Sequence, residues 1–455
     1  MKTVIMAGGK GTRISELFPD IPKPLIPISR INEITGEEEK KPVLEWEIRS
    51  LVAQGFTDII LTVSHMADKI ETYFGTGEQL GCRIQYFTET VPLGNAGALF
   101  KMRQQLSDEP FLLLNADAVF DVDFNRFTAF HMKKKEECGG LVTLFTHPNS
   151  HPYDSGLIIA ATDGAVEGWL TKEDKRPEFY KNRVNAGLHV IDPKVLDLAA
   201  ESSNIDEKLI GTEDVKTGKT IKVDLDRQIL KPLCGTGKMF CYDSPEYVKD
   251  MGTPERYEAV CRDFQNGTVS AKNLSNKQKA IFLDRDGTIN KYVGFLRSPS
   301  ELELIDGAAE SIRLINESGY LCIVITNQPV IARGEVTVEE LQVIHNKLET
   351  ELGRRGAYID ALYYCPHHPD KGFEGEVVEL KFDCDCRKPK PGLILRASKD
   401  FNIDLSRSWM IGDGKNDVGA GKAAGCKTVL LSSAEECEAD ITAENLLEAI
   451  EEILG

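Results

Sequence analysis

Short apolar runs that stop abruptly at a chemistry-bearing side chain constrain this chain most. Thr3-Val4-Ile5-Met6-Ala7 runs into Gly8-Gly9, Phe111-Leu112-Leu113-Leu114 into Asn115-Ala116-Asp117, and Ala280-Ile281-Phe282-Leu283 into Asp284. Ile323-Val324-Ile325 ends at Thr326, and Met410-Ile411-Gly412 ends at Asp413. A continuous apolar run reads as a strand covered on both faces. Amphipathic stretches stand between the runs, such as Glu45–Gln54 before Ile59–Val63 and Ala308–Ser318 before Leu321–Ile325. This alternation predicts an α/β fold with doubly wound sheets and sites at the carboxyl ends of the strands.

At 455 residues and 41% apolar content, the chain can build two or three cores at ~100–200 residues per domain. Residues 263–278 are polar, turn-forming and without helical periodicity. They predict a linker between domains at 1–262 and 279–455, with Pro254–Arg262 as a short helix closing the first. The charged stretch 29–41, with Glu37-Glu38-Glu39-Lys40-Lys41, reads as a solvated surface loop, and Ala443–Leu454 as a surface helix. No run approaches the ~20 apolar residues of a membrane span. A net charge of −18 argues against a nucleic-acid or anionic-membrane surface. Eleven cysteines without a disulfide framework, and a first strand that already carries a motif, predict a cytoplasmic protein without a cleaved leader.

Asp284-Arg285-Asp286-Gly287-Thr288 places two carboxylates two positions apart at a strand end. On extended backbone that spacing aims both the same way. Asp284 can attack phosphorus, and Asp286 can exchange the proton of the leaving oxygen and of water. Gly287 permits the sharp turn. Thr326-Asn327, Arg387-Lys388 and Asp413, with Asp417 four residues later, supply hydroxyl, cation and further carboxylate. Cys365-Pro366-His367 and Cys384-Asp385-Cys386 form two short clips of three thiolates and an imidazole. That set predicts a closed, structural zinc site, with the adjacent His368 as the rival imidazole.

In this order the motifs resemble the haloacid-dehalogenase-type phosphatases over roughly residues 279–455. With Ala332-Arg333-Gly334, Cys365-Pro366-His367-His368-Pro369 and Cys386-Arg387-Lys388-Pro389, they resemble the heptose 1,7-bisphosphate phosphatases most; histidinol-phosphate phosphatases are close relatives. The resemblance implies Asp284 as nucleophile and Asp286 as acid/base, with Thr326 and Lys388 holding the phosphoryl group. It implies Mg²⁺ on Asp284, Asp413 and the Asp286 carbonyl, and substrate contacts from Asn327, Arg333 and Arg387. Pro329-Val330 departs from the family's Ser-Gly.

Near the start, Gly8-Gly9-Lys10-Gly11-Thr12-Arg13 can wrap an anion closely, and Arg13 and Lys23 add charge. Gly-Gly-x-Gly-Thr-Arg followed by Pro22-Lys23-Pro24-Leu25 resembles the sugar-phosphate nucleotidyltransferases. So do Pro92-Leu93-Gly94-Asn95, Asn115-Ala116-Asp117, Asn185-Ala186-Gly187 and Asp250-Met251-Gly252-Thr253-Pro254. Among these enzymes, Glu71–Gly77 and the Gly94 loop are most similar to the heptose-1-phosphate guanylyltransferases. The resemblance implies a Rossmann-like domain in which Gly8, Gly9, Gly11, Thr12 and Arg13 hold the pyrophosphate side. Lys23 would sit near the α-phosphate, Gly94, Asn185 and Gly187 at base and sugar, and Asp117 and Asp250 on Mg²⁺. Ala116 stands for the usual Gly and Asn95 for a common Thr. The usual Glu-Lys pair is replaced by Lys172-Glu173, with Lys175 as a rival.

Together the halves imply one pathway segment: removal of the 7-phosphate from heptose 1,7-bisphosphate, then guanylyl transfer from GTP to heptose 1-phosphate for surface-glycan synthesis. The expected partners are sugar phosphates and GTP, with no nucleic acid and no membrane. A hexose 1-phosphate or histidinol phosphate as substrate, and a non-catalytic sugar-nucleotide sensor in the N-terminal half, are the alternatives. Anomer, base choice and oligomeric state, a homo-oligomer included, stay open.

Overall fold

The computed structural model describes the chain except residues 10–12, 32–35, 107, 117, 203–204, 215–216, 373 and 432–437. It divides into two compact units. The first comprises Met1–Thr146, Ile158–Trp169 and Asn185–Ser270. The second comprises Ala271–Gly455 together with 147–157 and 170–184.

The first unit is built on a sheet whose four strands at one end are parallel, in the order Phe111–Asn115, Thr3–Met6, Asp58–Val63, Arg83–Thr88. Val184–Ile191 runs antiparallel beside Phe111–Asn115. Alternate residues feed opposite cores: Val4, Ile60 and Leu113 pack on one face, and Ile5, Leu61 and Leu114 on the other. Each such fully buried side chain contributes ~1.5–3 kcal/mol, so the continuous apolar runs form interior strands. Thr3–Met6 is the first strand, and the chain adds strands on one side of it before crossing to the other. Its carboxyl end is therefore the topological switch point where such sheets bind ligands.

The second unit carries a six-stranded, wholly parallel sheet. Its order is Ala361–Cys365, Tyr320–Asn327, Lys279–Leu283, Trp409–Gly412, Lys427–Leu431, Ile441–Ala443. Ile281 and Leu283 join one apolar core, Ala280 and Phe282 the other. The switch point falls between Lys279–Leu283 and Trp409–Gly412. Within this unit the Asn182 N–H donates to the Glu349 carboxylate at 2.7 Å and the Tyr180 N–H to the Thr350 hydroxyl at 2.9 Å. These bonds are why residues 170–184 group with it.

Expected helices form at Val43–Ala53, Ala308–Glu317 and Leu446–Leu454. The helix expected over 254–262 runs on to Gln265, started by Thr253, whose hydroxyl accepts the Arg256 N–H at 3.3 Å. Within the stretch read as a linker, Thr268–Ala271 is helical and Lys272 is buried, 3.9 Å from Asp360. The surface loop expected over 29–41 is corrected: its flanks pair as an antiparallel ribbon, Pro27–Ile31 against Glu38–Pro42. Ile28 is sunk in an apolar cluster with Val43 and Met251, and Lys41 lies 4.6 Å from the Trp46 ring centre, while Glu37, Glu38 and Lys40 stay exposed to solvent as expected. No helix among the described residues is long and apolar enough to cross a membrane.

Candidate active sites

In the second unit, the strand ends converge on Lys388. Its ammonium reaches Asp284 Oδ1 at 2.7 Å, Asp417 Oδ1 at 2.6 Å and the Ile325 carbonyl at 2.8 Å. This buried cation is thus ion-paired with two carboxylates and donates to one carbonyl. Burial alone would lower its pKa, but the Asp284 and Asp417 carboxylates raise it above the ordinary lysine value. Burial, then the Asp417 and Asp286 charges, push the Asp284 carboxyl up to about 6 despite Lys388. Burial and Asp284 likewise push Asp413 up.

Asp284, Asp413 and Asp417 offer carboxylate oxygens within 4.8 Å of one another. Crowded hard oxygen donors fit a divalent cation such as Mg²⁺. Two glycines make room for them. A Cβ on Gly287, whose φ is +87°, would lie 2.0 Å from Asp413 Oδ2, and one on Gly412 would lie 2.2 Å from the Asp417 carboxyl carbon.

Asp284 and Asp286 are not held by strand alternation. The strand stops at Leu283, and the acids stand on a tight loop in which Arg285 O accepts the N–H groups of Ile289 and Asn290. Arg285, wholly buried, grips Asp286 with Nη2 at 2.7 and 2.9 Å and Nε at 3.2 Å. Burial would raise the Asp286 pKa, but Arg285, Asn290 and Gln328 together hold it below the usual carboxylate value.

Thr326 sits buried at its strand end. Asn327 braces the backbone of Lys388: its Oδ1 accepts Lys388 N–H at 3.1 Å and its Nδ2 donates to Lys388 O at 3.2 Å. Arg333 pairs with Glu335 at 2.8 Å and lies over Phe295, and Arg387 donates to the His367 carbonyl at 3.2 Å.

Cys365, His367, Cys384 and Cys386 form the other group. Their sulfurs lie 3.2–3.5 Å apart, and His367 Nδ1 lies 3.6 Å from Cys365 Sγ and 3.3 Å from Cys386 Sγ. All four are free of disulfides or are imidazole, the donor chemistry of a tetrahedral zinc site. His368 stands outside this group, its Nδ1 taken by the Asp370 N–H at 3.1 Å.

In the first unit, a cleft of about 650 Å³ opens at the carboxyl ends of the parallel strands. Gly8, Gly9, Lys23, Gly94, Asn115 and Lys222 are among the residues lining it. Gly94 (φ +84°) is required: a Cβ there would lie 2.3 Å from the Val223 carbonyl. That close approach zips 223–225 against the loop, with Val223 N–H on Leu93 O at 2.9 Å and Ala96 N–H on Val223 O at 3.1 Å. Asn95, the departure from Thr, accepts the Leu225 N–H at 2.7 Å.

Gly11, Thr12 and Asp117 lie outside the described residues. Arg13 is exposed beside the short turn Ile14–Glu16 and does not line the cleft. Asn185 accepts from Gly187 N–H at 3.2 Å and lies 3.2 Å from His189 Nε2; Gly187 abuts Asn115, and neither Asn185 nor Gly187 lines the cleft. Asp250 is engaged by Lys23 at 3.5 Å, by Arg256 and by the Gly252 N–H, and belongs to no metal-like group among the described residues.

Sequence reasoning noted Asp417 as a carboxylate beside Asp413 without giving it a ligand role, and gave no role to Arg285 or Lys222. The recurrence of Asp after Gly412-Asp413 signalled the first. Nothing local signals Lys222, which reaches the cleft only because 223–225 pairs with the Gly94 loop. Neither Lys172 nor Lys175 lines the cleft.

Residues 2–265 match the nucleotidyl transferase family model, and residues 385–450 the HAD-hydrolase-like model. The D-glycero-beta-D-manno-heptose-1,7-bisphosphate 7-phosphatase of Pasteurella multocida is 42% identical over 154 residues, 34% of this chain and 81% of the relative. Its counterpart in Haemophilus ducreyi is 36% identical over 181 residues, 38% of this chain and 97% of the relative. The crystal structure of HddC from Yersinia pseudotuberculosis aligns with 58% of this chain and 99% of its own at 22% identity, with a TM-score of 0.43. The chain belongs to the nucleotidyl transferase family and, in its C-terminal part, to the heptose-bisphosphate phosphatase family of HAD-like hydrolases, and is thus a bifunctional enzyme.

Proposed function

We propose that the second unit removes the 7-phosphate from a heptose 1,7-bisphosphate and that the first transfers a guanylyl group from GTP to the resulting heptose 1-phosphate. The observation that carries the phosphatase reading is the Asp284–Lys388–Asp417 cluster at the switch point of a parallel sheet, in a segment 42% identical to a heptose-bisphosphate phosphatase. An Asp284 oxygen attacks phosphorus, the phosphorus–sugar oxygen bond breaks, and Asp286 gives its proton to the leaving alkoxide. Water then attacks the aspartyl phosphate, Asp286 takes its proton, and inorganic phosphate leaves. Lys388 and Thr326 hold the transferring group. Mg²⁺ on Asp284, Asp413, Asp417 and the Asp286 carbonyl would neutralise phosphate charge. Zinc on Cys365, His367, Cys384 and Cys386 would pin the loop that leads directly into Arg387-Lys388.

In the first unit, the sugar-1-phosphate oxygen attacks the α-phosphorus of the nucleotide and pyrophosphate leaves. Gly8, Gly9 and Lys23 face this chemistry in the cleft. Gly11, Thr12 and Arg13 would complete the pyrophosphate side, and Asp117 and Asp250 would hold Mg²⁺. Both reactions take place in the cytoplasm, where nucleotides are abundant and the ten described free cysteines stay reduced. The relatives' names specify the β-anomer, which favours adenylyl transfer as the second reading.

Purified chain with Mg²⁺, α- or β-heptose 1,7-bisphosphate, and GTP or ATP in separate reactions tests both readings by mass spectrometry. GDP-heptose from the α-anomer is expected. ADP-heptose from the β-anomer would support the second reading, and no turnover of either bisphosphate would overturn the heptose assignment.

A further inference from the structure

We infer that Gln328 is a positioning residue of the phosphatase site, fixing at once the Asp286 carboxylate and the direction of the Thr326 hydroxyl proton. The inference rests on the phosphatase reading above. Gln328 is 2% exposed, and its backbone is anchored by its N–H on Cys365 O at 2.7 Å. Its side chain meets three partners: Arg285 Nη2 at 3.0 Å, Asp286 Oδ2 at 2.9 Å and Thr326 Oγ1 at 2.8 Å.

Only one orientation of the amide satisfies all three. Arg285 can only donate, so it must face the amide oxygen, which turns the NH₂ toward Asp286 Oδ2 and Thr326 Oγ1. The two amide protons are then divided between Asp286 and Thr326. Reversing the amide would set oxygen against carboxylate and NH₂ against guanidinium. Because Thr326 Oγ1 accepts from Gln328, its own single proton must be donated elsewhere. No acceptor for it is recorded among the described residues, although Thr326 is 1% exposed. A phosphoryl oxygen held beside Lys388 is the acceptor this arrangement leaves for it. One buried amide therefore ties the acid/base group to the phosphoryl clamp, with Arg285 supplying the fixed end.

The test compares leaving groups. A sugar phosphate expels an alkoxide, which needs the proton from Asp286; acetyl phosphate expels acetate, which does not. Gln328→Met keeps length and apolar bulk and leaves the Arg285–Asp286 pair in place. It is expected to lower kcat/KM on heptose bisphosphate ~10–100-fold, through kcat rather than KM. In kcat/KM, which ends at the aspartyl phosphate and so excludes the water step that Asp286 serves on both substrates, only the Thr326 contribution is lost on acetyl phosphate, so the fall there should be at least ~10-fold smaller. Gln328→Glu, which cannot donate to Thr326 and repels Asp286, should fall at least as far, and Asp286→Asn should show the same dependence on leaving group. Equal losses of kcat/KM on both substrates, or a kcat/KM on heptose bisphosphate within ~2-fold of wild type, overturn the inference. A wild-type chain inactive on both phosphates overturns the phosphatase reading itself, an outcome distinct from failure of the inference, which is scored against an active wild type.

Discussion

The two sites sit at equivalent places in their sheets, and they solve phosphate chemistry differently. Around Lys388, charge is dense and buried: one ammonium serves two carboxylates, and Arg285 locks a third. The cleft above Thr3–Met6 is open, about 650 Å³, and walled by glycine backbone with few charges. A protein that supplies its own nucleophile must hold it preassembled, and can afford a small site. One that joins two substrates must admit both anions, so space and backbone N–H groups come first.

The strongest way to break this contrast is to remove the nucleophile. Asp284→Asn should cut sugar-phosphate hydrolysis by ~10³-fold or more while nucleotidyl transfer, assayed by pyrophosphate release, stays near wild type. A parallel loss of both would show that the sites do not act separately. Lys388→Met tests preassembly. It strands Asp284 and Asp417 without their cation, so a loss of ~3–5 kcal/mol in the second unit's stability is expected from denaturant unfolding, alongside loss of phosphatase activity. In the cleft, Lys23→Ala should be nearly neutral for folding yet lower nucleotidyl transfer ~10²-fold.

Acid should weaken both units: burial lowers His147 to about 4 and His345 well below its ordinary value in the second, and two histidines act likewise in the first. Burial, with Lys135 nearby, lowers His131 to about 4, and burial alone lowers His189 to about 4. Both lie in the first unit, and both bind a proton more readily unfolded. Their contribution is therefore present above the unfolded value of ~6.5 and is lost as pH falls from there toward 4. Each is worth roughly 3 kcal/mol over that window. His189→Gln should remove one proton from the slope of stability against pH; an unchanged slope would refute the assignment. The smallest effect is expected at Asn95. Asn95→Ala leaves the Leu225 N–H without its acceptor, costing ~1 kcal/mol, with KM for nucleotide raised severalfold in steady-state assays.

Runs such as Phe111–Leu114 and Ala280–Leu283 announced parallel interior strands because burial on both faces leaves no polar alternation to find. The zinc-type clips were equally legible, since both lie within three residues and their spacing restricts geometry. Other features were not. The ribbon Pro27–Ile31 with Glu38–Pro42 was hidden behind its charges. Asn327 looked like a ligand contact, yet it clamps a lysine 61 positions away. Asp284 and Asp286 looked like neighbours on a strand, but a loop stapled by Arg285 sets their geometry.

The sequence by itself determined which residues could do chemistry and at which strand ends they stand, because strand burial, glycine turns and short ligand clips are local properties. Tertiary structure alone decided how those residues are partnered. Lys388 between Asp284 and Asp417, Gln328 between Asp286 and Thr326, and Lys222 in the cleft all depend on segments far apart in the chain. Hydrogen bonds and ion pairs at 2.6–3.0 Å are set by the packing of whole sheets, and no spacing along one strand encodes them.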